Sequence, residues 1–399
     1  MFIFLLMIFI KIFYCEIIIK FQKNLIFENL LEINLNLDEK NYFIAIDVNS
    51  DVFILNENFT NFSFFYEKFV ISKCEKNFLN LETKKLKINN LIINNFSFFS
   101  FNNNNKIECN FQGFIGFSKN KNQTNFLHQI SNEKKIFSLK LISEILGEIK
   151  IGNHENEILS NKNKIISIDS NDKKWAGNLQ GIFFGEINLK NDSNVFFIDA
   201  NENNYFKINE NFIIETIQNL IISNKKIFNV IKEKLFKNYI KKNQCKIKEK
   251  NNFKGIFCNK KIIENKNFII NLIINNSIIK LNKNFLFEKH SNSEFLFIIV
   301  ESKIIKNFTL GNKILNLFNI IFDQENNKIH LISNEKNKNR IERIRIINEY
   351  NSNLNKNYSN NFEFSLFIIL FSNIFGIIFL LISNFRQKIS ISSKLKINF

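Results

Sequence analysis

The hydrophobic positions of this chain fall in short runs. Across residues 30–331, stretches of about four to eight residues either alternate apolar with polar or stay apolar throughout. Examples are "EINLNL", "YFIAIDV", "KLKINNLIINN", "GEIKIGN", "NFIINLII" and "SIIKLNKNFLF", with clusters of Asn and Lys between them. Alternation predicts strands with one buried face, and continuous runs predict strands buried on both. Helical spacing is sustained in one candidate, "FIIETIQNLIISNKKIFNVIKEKLFKNYIKKN", residues 212–243. The pattern predicts an all-β body with a few helices.

Both ends carry longer apolar runs. Residues 1–15, "MFIFLLMIFIKIFYC", contain no acid and have the length of a signal-peptide core, too short to span a bilayer. Residues 364–385, "FSLFIILFSNIFGIIFLLISNF", carry no charge over about 22 positions, which predicts a transmembrane helix. Arg386, Lys388, Lys394 and Lys396 follow without an acid, so the positive-inside rule makes the tail cytoplasmic. The expected layout is a signal peptide over 1–15, an N-terminal β lobe over 26–165, a C-terminal β lobe over 166–333, a polar stalk over 334–361, the membrane helix over 364–385 and a tail over 386–399. That is a single-pass type I protein of the secretory pathway or cell surface, its body lumenal or extracellular.

Composition changes this picture in three places. The 399 residues include no Pro, only 10 Gly and 49 Phe, so Asn, the residue after Gly most tolerant of positive φ, is expected to take over the turns. The net charge of +17 comes from lysines scattered through every segment, with no basic arm or binding module, and this argues against a nucleic-acid partner. The N-x-S/T triplets at Asn58, Asn61, Asn95, Asn122, Asn191, Asn275, Asn307 and Asn357 barely exceed what so Asn-rich a chain produces by chance; they mark glycosylation acceptors without arguing for secretion. Cys15 borders the leader. The other four cysteines form two local couples, Cys74 with Cys109 and Cys245 with Cys258, which an oxidising compartment would close as one disulfide in each half; this is one of three pairings open to four cysteines. No C-x-x-C or His/Cys cluster suggests a metal, no cofactor is implied, and the four isolated His are expected at the surface.

A weak internal repeat carries the candidate chemistry. "FIAIDVNSDVF" and "VFFIDANEN" each bring an apolar run to an Asp followed by a small residue and Asn, at Asp47 and Asp199. Each half later places a Gly after an apolar pair, Gly116 in "QGFIGFS" and Gly311 in "FTLGNKI". The duplication predicts two lobes related by a pseudo-twofold axis, with the aspartates facing each other where the lobes join.

At these residues the chain resembles the pepsin-like aspartic proteases. "LLEINLNLDEKNYFIAIDVNSDVFIL" resembles that family's first strand, turn and active-site loop, with Asp47, Val48, Asn49 and Ser50 in place of Asp-Thr-Gly-Ser. "YEKFVISKCEKN" looks like the next segment, "FQGFIGFS" like Asp-Gly-Ile-Leu-Gly-Leu, and "GEIKIGN" with the lone Trp of "KKWAGNLQGIFFGEI" like the passage into the second lobe. "VFFIDANEN" matches the second loop, with Asp199, Ala200, Asn201 and Glu202 for Asp-Thr-Gly-Thr, and "FTLGNKILNLFNIIFDQENNKIHLIS" follows the closing pattern. The resemblance covers about residues 29–333 in order.

The resemblance implies a monomeric, membrane-anchored endopeptidase acting on peptides or proteins, in which Asp47 and Asp199 hold a water, share one proton and hydrolyse the peptide bond without metal or covalent intermediate. Departures from the family pattern set further expectations. Asn49 and Asn201 stand where the family has Gly and should adopt left-handed φ. Val48 and Ala200 lack the hydroxyls that tie the two loops together. Ser50 should offer a hydroxyl to Asp47, and Glu202 adds a charge near Asp199. The substrate-covering hairpin, expected near residues 76–81, has neither its Tyr nor its Gly. Two other functions fit less: a peptide- or protein-binding scaffold that lost catalysis, and a β-rich surface adhesin.

Overall fold

The computed structural model describes residues 17–24, 30–55, 79–88, 91–101, 113–119, 124–130, 135–162, 164–170, 173–186, 196–199, 204–250, 252–334 and 344–347. The expected leader, membrane helix and tail lie outside them, as do Cys74 and Cys109; of the expected stalk only residues 334 and 344–347 are described, and Ile344–Ile347 is a strand. No helix among the described residues is long and apolar enough to cross a membrane.

The body is mostly β and bilobal, built on two large sheets. The first has twelve strands, in the spatial order Ile165–Asp169, Lys328–Ser333, Phe318–Asp323, Ile136–Leu141, Leu146–Ile151, Ile17–Asn24, Leu30–Leu37, Lys40–Asp47, Gly113–Gly116, Ile54–Leu55, Leu91–Phe101 and Leu79–Ile88. The closing strands Phe318–Asp323 and Lys328–Ser333, which the sequence assigns to the second lobe, thus join the sheet of the first. Residues 17–24, between the expected leader and the first expected strand, form a strand of their own, paired with both Leu30–Leu37 and Leu146–Ile151. The second sheet runs Ser277–Asn282, Ile269–Ile274, Ala176–Phe184, Tyr205–Ile214, Phe308–Leu310, Ile221–Ser223, Ile299–Ser302, Phe253–Asn259, Glu294–Phe297 and Phe287–Lys289, with Cys245–Lys250 paired to Phe253–Asn259. Of the described residues, 197–199 and 346–347 belong to a second compact unit, and the strands Phe196–Asp199 and Ile344–Ile347 pair as a separate two-stranded sheet.

Asn does replace Gly in the turns. Seven of the nine described non-Gly residues with positive φ are Asn: Asn95, Asn209, Asn243, Asn252, Asn275, Asn276 and Asn327. Phe supplies much of the core. Phe53, Phe96, Phe98, Phe117 and Phe126 are wholly buried against one another, and Phe137 stacks on Phe322 with ring centroids 4.7 Å apart. A buried ring of this size contributes up to about 3 kcal/mol by leaving water, which lets a chain without Pro and with few Gly hold its loops from within.

Three local expectations are corrected. The long helix does not begin at residue 212: Phe212, Ile213 and Ile214 end a strand, Ile221–Ser223 is another, and the chain is helical from Lys225 to Lys241 with a wider π turn over Lys232–Phe236. Asn224 caps this helix, its side chain accepting from the Ile227 N–H at 3.0 Å. Two of the four His are interior. His154 bonds Glu157 at 3.2 Å and the Lys150 carbonyl at 3.1 Å, and His330 bonds Ser167 at 2.8 Å. Burial of an imidazole is affordable here because both positions offer partners for the ring nitrogens. Finally, a long hairpin, Leu79–Ile88 with Leu91–Phe101, follows the first loop; it contains no Tyr or Gly and is joined to the sheet through Asn36↔Lys87 and Leu37↔Leu86.

Cys245 and Cys258 are disulfide-bonded at directly opposed positions of their hairpin.

Candidate active site

The site is built from two strand ends. Along Lys40–Asp47 the burial first alternates, with Tyr42 and Ile44 inside and Phe43 outside, and then becomes continuous over Ala45, Ile46 and Asp47 as the strand enters the middle of its sheet. There it runs parallel to Gly113–Gly116, with Asp47 opposite Gly116. In the second sheet, Tyr205–Ile214 runs parallel to Phe308–Leu310 with Ile214 opposite Leu310, and the Glu215 N–H donates to the Leu310 carbonyl at 2.9 Å. The residue that reaches Gly311 is therefore Glu215.

The two glycines make the equivalence quantitative. A Cβ on Gly116 would collide with the carbonyl oxygens of Ser50 and Val52; one on Gly311 would collide with those of Gln218 and Leu220. Ser50 and Val52 stand three and five places after Asp47, and Gln218 and Leu220 stand three and five places after Glu215. Each glycine lies under a loop that begins with one acid, and the acid of the second loop is Glu215. Asp199, assigned that role from the sequence, ends the strand Phe196–Asp199; its side chain, with Ala200, Asn201 and Glu202, lies outside the described residues.

The loops are tied to each other across the lobes. The Thr216 hydroxyl donates to the Ile46 carbonyl at 2.5 Å and accepts from the Val48 N–H at 3.2 Å, so it bonds the residues on either side of Asp47. Val48 has no hydroxyl to return the favour, but Asn49 does the reciprocal work with its amide: Nδ2 donates to the Ile214 carbonyl at 2.5 Å and Oδ1 accepts from the Trp175 N–H at 2.9 Å. Asn49 is thus needed for its side chain. It is not among the residues with positive φ, which corrects the left-handed expectation. Ser50 is corrected as well: its hydroxyl donates to the Val52 carbonyl at 3.1 Å within its own turn, while backbone N–H groups of Asn49, at 2.9 Å, and Ser50 serve the Asp47 carboxylate.

Both carboxyls are held protonated far above the ordinary range. Burial pushes Asp47 up to about 6, against the N–H groups of Asn49 and Ser50 and the charge of Lys174, with a small rise from Asp51. Burial likewise pushes Glu215 up to about 7, helped by the negative charge of Asp47 and opposed by Lys174. A charge on either acid opposes ionisation of the other, so the pair gives up its protons in two steps, with Glu215 held up by burial and then by the charge of Asp47. Such a pair, one carboxylate and one carboxylic acid near neutral pH, can act as general base and general acid together. No group of three His, Cys, Asp or Glu residues fit to hold a metal occurs among the described residues.

Glu215 is obscured in the sequence by the apolar spacing around it, yet "FIIETIQNL" repeats the apolar run and acid of the first loop and follows them with a hydroxyl residue, Thr216, where the first loop has Val48. Val48, Ile217 and Gln218 fill the remaining loop positions: Ile217 packs with Ala45, Val52, Ile54 and Phe114 of the first lobe, and the buried Gln218 amide has no hydrogen-bond partner among the described residues.

Comparison with solved structures agrees with this architecture. An aspartic proteinase from Irpex lacteus superposes with a TM-score of 0.56 at 12% identity, covering 80% of this chain and 98% of that one. The fold is pepsin-like. Basic 7S globulin from soybean gives 0.57 at 12% identity over 80% of this chain and 96% of its own. Conglutin gamma, a unique basic 7S globulin from lupine seeds, gives 0.58 at 13% identity over 80% and 95%. No protein-family model matches the sequence, and no curated relative does.

Proposed function

We propose that this pepsin-like protein is an endopeptidase of the aspartic type whose second carboxyl is Glu215. The observation that carries the proposal is the equivalence of the two loops: each acid sits over a glycine with the same offsets, and the charge of Asp47 bears directly on Glu215. In this reading the ionised Asp47 takes a proton from a water as it attacks the peptide carbonyl, and the protonated Glu215 gives its proton to the carbonyl oxygen; both carboxyls then reverse roles as the tetrahedral intermediate expels the amine. The protein works as a single-pass membrane protein, its body on the lumenal or outer side and its tail, residues 386–399, in the cytosol; a C-terminal tag is then cleaved by protease added from the cytosolic face.

The test uses purified full-length protein and a peptide pool scanned between pH 3 and pH 8, in the range where the handover between the two carboxyls takes place. Asp47→Asn and Glu215→Gln are expected to abolish cleavage separately, since the two act as one unit, and Asp199→Asn to leave it intact. Loss of cleavage in Asp199→Asn with retention in Glu215→Gln would overturn the assignment.

A second reading, a peptide-binding scaffold, draws on Val48, where the resemblance places Thr, and on Ile217, an apolar residue two places after Glu215. Peptide binding by the wild-type protein with no cleavage dependent on Asp47 or Glu215 would establish it instead.

A further inference from the structure

Lys174 stands at an unusual place relative to the two acids. Its neighbour Trp175 is wholly buried, with its indole N–H donating to the Phe117 carbonyl at 3.2 Å and its ring against Phe137 and Phe322. The Trp175 backbone is bonded to both acid-bearing loops at once: its N–H donates to Asn49 Oδ1 at 2.9 Å, and its carbonyl accepts from the Ile214 N–H at 3.0 Å. Asn49 lies two residues after Asp47, and Ile214 immediately precedes Glu215. The approach to Trp175 is fixed as well, because Ser170 Oγ donates to the Lys174 carbonyl at 3.4 Å and accepts from the Ala176 N–H at 3.1 Å.

Lys174 itself is exposed, and its ammonium has no ion-pair partner among the described residues. Among the described residues it is the one cation whose charge bears on both Asp47 and Glu215, while Asp51, four places along the first loop, bears on Asp47. An exposed cation whose neighbour Trp175 is tied to both loops thus acts on a buried and a half-buried acid at the loops where the proposed reaction takes place. Without it, the single negative charge of the acid pair would repel an anionic ligand.

We propose that Lys174 is a specificity-determining residue that selects peptides carrying a carboxylate side chain close to the scissile bond. The inference rests on the endopeptidase reading above and names its substrate class. An ammonium at the rim of a binding site discriminates chiefly by charge, so its replacement by an acid inverts the preference, whereas a purely structural lysine would leave the preference untouched.

The experiment places Asp, Asn or Lys singly at each of three positions on either side of a central apolar pair and compares the peptides on wild-type, Lys174→Met and Lys174→Glu full-length protein. The expected result is that the Asp peptide exceeds the Lys peptide in kcat/KM by roughly tenfold at one or more positions in the wild type, that Met levels the two, and that Glu reverses them. The same peptides with the scissile amide reduced to an uncleavable bond are measured by fluorescence anisotropy. If no variant cleaves but the binding preference follows the charge at residue 174, the specificity proposal stands and the endopeptidase reading falls. Equal preference in all three proteins, or no peptide binding at all, overturns the role of Lys174.

Discussion

Thr216 gives its hydroxyl to the carbonyl of Ile46 across the lobes, at 2.5 Å. The same oxygen accepts the buried Val48 N–H, so one side chain of the second loop satisfies two backbone groups of the first. Replacing it with Val keeps the volume and strands both groups, which costs at least about 2 kcal/mol. Thr216→Val is expected to lower the unfolding free energy by that amount, and Thr216→Ser to stay near wild type, as read in denaturant by the fluorescence of Trp175, the chain's single Trp.

Asn49 is the counterpart. Asn49→Ala removes the donor to the Ile214 carbonyl and the acceptor for the Trp175 N–H together, with an expected loss of about 2 kcal/mol. A Gly at this position, as in the resembling family, should be no better than Ala, because the work is done by the amide. Full stability in Asn49→Gly would show instead that backbone conformation governs the site.

The two acids make a distinct pH signature. Unfolded, they ionise near pH 4; folded, Asp47 holds its proton to about 6 and Glu215 to about 7. Between those limits the folded chain binds more protons, so this contribution is complete below about pH 4 and is lost as pH rises through 6 and 7. Asp47→Asn removes a penalty of about 3 kcal/mol at neutral pH and should be more stable than wild type at pH 7.5, with the difference gone at pH 3.5. Glu157 and Asp323, whose carboxyls are held below the ordinary range, shift stability the other way, so the variant must be compared with wild type at each pH.

Gly116 and Gly311 are required for space. A methyl at either meets backbone carbonyls of the acid-bearing loops, which cannot turn aside as a side chain would. Gly116→Ala and Gly311→Ala are each expected to cost about 3 kcal/mol. Gly255→Ala is the control, since its Cβ would meet the movable end of Leu296 at 3.1 Å.

The first loop was legible because an unbroken apolar run from Tyr42 to Ile46 leads straight to Asp47, although Phe43 within that run proves to be exposed. Gly116 and Gly311 were legible for a related reason, each standing at the end of a short, wholly buried strand. Glu215 was not, because the buried end of the strand Tyr205–Ile214 and the short strand Ile221–Ser223, separated by a tight loop, put Ile213, Ile214, Ile217, Leu220 and Ile221 at helical spacing. Periodicity alone cannot separate that arrangement from an amphipathic helix. The compensation by Asn49 was hidden too, since a residue type suited to left-handed turns gives no sign that its amide will reach another lobe. Nor could composition reveal that strands 318–323 and 328–333 complete the first sheet, a long-range pairing set by topology.

Lys23 carries the last prediction. It lies on the strand Ile17–Asn24, only 8% exposed, with Nζ donating to Asn316 Oδ1 at 2.9 Å. Nearby, the equally buried Lys313 reaches Glu288 at 3.5 Å, and that carboxylate also accepts from Asn219 at 2.8 Å. Burial first, and then the charge of Lys313, depress Lys23 to about 8, while Glu288 and Glu144 offset part of the shift. A lysine depressed in the folded state is a penalty while it stays charged: stability rises as pH climbs from about 8 toward the unfolded value near 10.5, and the penalty below that window is about 3 kcal/mol. Met matches the length of the stem and removes the charge, and the exposed Asn316 can turn to water. Lys23→Met is therefore expected to unfold at higher denaturant than wild type at pH 7, by about 2 kcal/mol, with the gain vanishing above pH 10. A variant less stable than wild type at pH 7 would mean that the bond to Asn316 outweighs the cost of burying the ammonium.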